Sequence, residues 1–142
     1  MNQRSYELRA AAFTALTNAH TAAAMGQIAA QIGELQPDAT KQDVQTAAQN
    51  VFAAAGHASH AVLALSKDDI GLAKNAAKGA QAAAQAVMTA TQHALAAATA
   101  TLQKADTGAP DMEVLIGLWE SLRSFMPDPF DAPASPDESL ES

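Results

Sequence analysis

From about residue 67 to residue 105 the chain is an alanine-rich stretch in which large side chains almost vanish and small residues return at helix-packing spacing. Alanine loses no side-chain entropy on entering a helix, and glutamine, leucine, methionine and lysine are also good helix formers. A small-residue stripe also lets helix axes approach to about 8 Å, the short end of the usual range. This segment predicts a closely packed helical bundle and carries no chemistry of its own. Its inward side reads as Ala73, Ala76, Ala80, Ala84, Val87, Ala94, Ala98 and Leu102, with Lys74, Lys78, Gln81, Gln85 and Gln103 opposite.

The same bias extends through the chain. Hydrophobic residues make up 49% of the 142 positions but aromatic residues only 4%, so the core is thin for its length and each buried residue contributes little. β-branched residues are too scattered to build a sheet. The expected fold is all-α: an antiparallel bundle of three long alanine-rich helices and a short amphipathic fourth over residues 1–126, followed by a disordered acidic tail over 127–142.

The first helix is expected from Ser5 to Leu35, with Phe13, Leu16, His20, Ala24, Ile28, Ile32 and Leu35 at steps of three or four. Gly26 would permit close approach of a neighbour and Gly33 would mark fraying. Gln36–Ala39 breaks the chain at Pro37, and Thr40 with Asp43 has capping-box spacing. A second helix, Lys41 to Leu65, then carries Val44, Ala48, Val51, Ala55, Ala58, Val62 and Leu65 inward, with Phe52 and Leu63 widening that face. Ser66 and Asp69 repeat the capping-box spacing, and Asp68 and Asp69 suit the positive end of the third helix. The linker Asp106–Pro110 follows that helix, with Gly108 as its C-terminal cap.

The fourth helix, Asp111 to Met126, differs in kind. Met112, Leu115, Ile116, Trp119, Leu122, Phe125 and Met126 concentrate the bulk that the alanine helices lack. Such a face either fills the core or is offered to a partner groove or a second copy of the chain, since tryptophan and large aliphatic residues make good anchors. The expected partner-binding residues are Leu115, Trp119, Leu122 and Met126, joined by Phe130 of the acidic Asp128-Pro129-Phe130-Asp131 segment.

Net charge is −7, with 8 lysines and arginines and no basic run, so the electrostatic attraction that supports nucleic-acid binding is missing. Five acids fall in the tail. The chain has no cysteine, which removes thiolate metal sites and cysteine nucleophiles. Thr14, Thr17, Asn18 and His20 interrupt any signal-peptide core near Arg4 and Arg9, and Gln85, Thr89, Thr91, Gln92 and His93 interrupt the apolar stretch 82–100. No transmembrane segment is expected, and a cytoplasmic location is the default.

The four histidines are the other candidate chemistry. His20 sits on an apolar stripe, His57 and His93 flank theirs, and His57 with His60 at i, i+3 share a side and can bind one metal together. A stable site normally needs three or four ligands, and no Glu-x-x-His pairing accompanies them. No phosphate loop, nucleophile elbow or His-Glu-x-x-His motif occurs. The functional expectation is a non-enzymatic protein without a cofactor, working by contact with a protein partner or itself as adaptor, chaperone-like or self-assembling bundle. The alternative is a histidine-based metal or cofactor binder.

Overall fold

The computed structural model describes residues 2–104 and 109–126, leaving out the side chains of Ala109 and Pro110. Among them are four helices and no strand: α1 (Gln3–Leu35), α2 (Pro37–Lys67), α3 (Ile70–Lys104) and α4 (Ala109–Arg123). The three long helices run up, down and up, each touching the other two, while α4 packs on α1 and α3. The expected linker cap Gly108 and the acidic tail lie outside the described residues.

The turns correct the expected boundaries. The break between α1 and α2 is a single residue, Gln36, with φ −139° and ψ 73°. Pro37 opens α2 instead of preceding it, because a proline at the first helical position has its φ preset and lacks only an N–H that would be unpaired there anyway. Thr40 is therefore inside the helix rather than at its cap, buried, with its hydroxyl donating to the Gln36 carbonyl at 2.7 Å. At the other end Asp68 adopts the left-handed conformation (φ 55°, ψ 41°) that closes α2. Asp69 caps α3 by accepting the Leu72 N–H at 3.0 Å, and Ser66 donates to the Leu63 carbonyl instead of joining a capping box.

Burial follows a step of seven residues, the repeat of a left-handed supercoil. On α1 the buried set contains Leu8, Ala15, Ala22 and Ala29; on α2 Thr40, Ala47, Ala54 and Ala61; on α3 Ala73, Ala80, Val87 and Ala94. Every inward residue expected on α3 is buried, and Ala83, Ala90, Thr91 and Leu95 join them because α3 faces all three other helices.

On α1 and α2 the expected stripes hold only in part: Ile28 and Ile32 are buried, but other members are not. Phe13 is 71% exposed, Leu16 and His20 are also exposed, and Ala48, Ala55, Val62 and Leu65 face solvent. Close helix approach favours small residues, so alanines take much of the seam while Phe13, Leu16 and Val62 are turned outward and Leu8, Met25, Ile28 and Ile32 of α1 stay inside.

A notch-and-knob ladder joins α1 to α2. A β-carbon added at Gly26 would stand 2.5 Å from Val51 Cγ2, and one at Gly33 would stand 2.9 Å from Val44 Cγ2. Gly33 thus serves close approach as Gly26 does, and not fraying. The two rungs are seven residues apart on each helix, so continuing the register sets Ala19 by Ala58 and Ala12 by Leu65. Among the described residues, no buried side-chain nitrogen or oxygen lacks a hydrogen-bond partner.

Candidate interaction groove between α3 and α4

An alanine buried in the bundle removes few apolar carbons from water, whereas each fully buried leucine contributes about 1.5–3 kcal/mol. α4 supplies three of these. Leu115, Leu118 and Leu122, at i, i+3 and i+7, are 1%, 8% and 0% exposed and enter the cluster that holds Met25, Ile28, Ile32, Val87, Leu95 and Leu102. Asp111 in the first turn and Arg123 in the last suit the helix dipole.

Seating that leucine row turns the neighbouring large residues to the flank. Trp119 is 39% exposed, Ile116 52%, and Met112 is half-buried. With Leu95, Ala96 and Ala100 of α3 they line an open apolar groove of about 480 Å³, edged by Gln92, Thr99 and Gln103. The groove has bulk on one wall and alanine on the other, because α3 is built to be approached closely and α4 is not.

The partner-facing residues read from the sequence therefore divide. Trp119 lies on the groove. Leu115 touches it from below but is buried, and Leu122 is wholly inside, so these two seat the helix instead of meeting a partner. Met126 is half-buried beyond the helix end, its sulfur 3.9 Å from the Gln92 side-chain nitrogen. Phe130 lies outside the described residues.

Leu118 went unassigned in the sequence, although its spacing from Leu115 and Leu122 marks it. Phe125 leaves α4 through a tight turn closed by its N–H to the Leu122 carbonyl at 3.0 Å. It lines a different opening with Asn18, Met25 and Met88 between α1 and α3.

The histidines do not converge. The His57 and His60 rings are 6.4 Å apart between centroids and edge-on, His20 is exposed on α1, and His93 faces a separate opening beside Gln42, Asp43 and Thr46. Among the described residues, no three histidines, aspartates or glutamates come together to hold a metal ion, so His57 and His60 remain a two-ligand pair. The His57 ring instead fills the space above Gly79, where an added β-carbon would collide with Cε1, Nδ1 and Nε2.

No described helix is long and apolar enough to cross a membrane. No protein-family model, curated protein or solved structure matches the chain.

Proposed function

We propose that this chain is a non-enzymatic interaction protein of the cell interior whose α3–α4 groove receives an apolar segment of a protein partner. The observation that carries this reading is the exposure of Trp119 and Ile116 on an apolar groove, in a bundle that turns most other bulk on α4 inward. An aromatic anchor beside a concave wall of small residues, rimmed by amides and hydroxyls, has the make-up of a protein-binding hot spot. Adaptor, chaperone-like and self-assembling roles all use such a contact.

Immobilised full-length chain should retain a protein from native extract that a Trp119→Ala, Ile116→Ser variant of equal thermal stability does not. Identical recovery by both chains would count against the groove. Recovery that depends only on residues 127–142 would move the binding site to the tail.

A further inference from the structure

The α1–α2 side of the bundle combines an absence and an excess. Between Arg9 and Glu34 on α1, and between Asp43 and Lys67 on α2, there is no lysine, arginine, aspartate or glutamate. The Gly26–Val51 and Gly33–Val44 rungs put those two spans side by side over their whole length. The same side carries uncovered bulk: Phe13 is 71% exposed, Phe52 82%, Val62 54%, and Leu16 and Leu65 about two-fifths.

The register gathers these residues onto one surface. Leu65 stands by Ala12, with Phe13 and Leu16 following on the solvent side of α1 and Val62 one turn before Leu65 on α2. Phe52 lies one turn beyond Ala48, which lines an open groove on this face with Ala30, Gly33 and Val44, and Glu34 and Lys41 line the same groove where the uncharged spans end.

We infer that this face is the contact between two copies of the chain. Charge argues for a second copy: molecules of net charge −7, five of the acids in the tail, repel one another generally, and this is a long surface whose middle carries no formal charge, with the opposite charges Glu34 and Lys41 at one end. Size argues for it as well. A span of 24 helical residues is about 35 Å long, and two helices side by side are about 20 Å across, giving on the order of 700 Å². Interfaces of standard size bury about 600–1,000 Å² on each partner, a range that includes this face.

An isologous contact with its two-fold axis along the helix pair lays α1 of each copy on α2 of the other. In that arrangement Phe13 of each copy meets the Val62–Leu65 ledge of the other. The inference is independent of the Trp119 groove, which lies across α3 and α4.

Sedimentation equilibrium of the full chain over a roughly hundredfold concentration range tests it. The wild type should sediment as a dimer in reversible equilibrium. Phe13→Glu and Phe52→Glu should each weaken the dimer by about tenfold or more while keeping the wild-type helical circular dichroism. If either glutamate variant loses helix, Phe13→Gln and Phe52→Gln carry the same readout. A monomer at every concentration overturns the inference, whether or not this face then binds phosphatidylcholine vesicles or another protein. A dimer indifferent to both phenylalanines overturns it equally.

Discussion

His57 on α2 packs its ring into the gap left by the missing side chain of Gly79 on α3. The pair does on the α2–α3 seam what Val51 and Gly26 do between α1 and α2. Filling the notch should therefore be harmful only while the ring is present. Gly79→Ala improves helix propensity by about 1 kcal/mol but overpacks the seam, which costs about 1–3 kcal/mol. A net loss of stability is expected in the wild type and a gain of about 1 kcal/mol in a His57→Ala background. Thermal denaturation of the four chains of this cycle measures the coupling; additive effects would show that the ring is free to swing away.

Glycine-to-alanine substitutions should change sign along the chain. Gly26 and Gly33 face Val51 and Val44, whereas nothing lies within 4 Å of a β-carbon added at Gly56 or Gly117. Gly56→Ala is expected to stabilise by about 1 kcal/mol, the ordinary helix-propensity gain. Gly26→Ala should destabilise by about 1–2 kcal/mol, and Gly33→Ala by less, because its clash is milder. Urea midpoints at constant m-value decide the signs.

The fourth helix should separate anchoring from exposure. Leu122→Ala removes a wholly buried side chain and is expected to cost about 2–5 kcal/mol. Trp119→Ala should cost considerably less, since the ring is 39% exposed and loses only its buried part. Amide exchange in residues 109–123 should accelerate strongly in the first variant and little in the second. Equal acceleration would mean that Trp119 holds α4 down, leaving the groove no separate role.

Arg4 donates from Nη1 to Asp68 Oδ2 and from Nη2 to the Asp68 carbonyl oxygen, each at 2.6 Å, tying the start of α1 to the end of α2. Both side chains are largely exposed, so Arg4→Ala should cost no more than about 1 kcal/mol, with the loss shrinking in high salt. The left-handed backbone at Asp68 should matter more. Asp68→Val is expected to lose about 1–2 kcal/mol, whereas Asp68→Gly should come out near neutral, the relief of backbone strain offsetting the lost ion pair. Melting curves at low and high salt distinguish the two contributions.

Which side of each helix would be buried was legible on α3 and only partly legible on α1 and α2. On α3 the alternation of alanine with lysine and glutamine marks the inward face, and almost nothing large competes for it. On α1 the expected Ile28 and Ile32 are buried, but Phe13, Leu16 and, on α2, Val62 point outward because the line of closest approach between the two helices is held by Gly26, Gly33, Val44 and Val51. On α4 the apolar positions nearly encircle the helix, so its spacing alone could not separate Leu118 from Ile116. The metal candidates were limited for a related reason: His57 and His60 are neighbours along α2, and no third ligand reaches them from another described helix.

The sequence by itself determined a helical bundle, the extent of its small-residue stripes and the location of its charges, because propensity, periodicity and composition are local properties. Only the tertiary structure decided which small residues face one another, that Pro37 begins a helix, and that Trp119 borders a groove above three buried leucines. Those outcomes depend on how closely two backbones can approach, which is a property of matched positions on different helices and of neither helix alone.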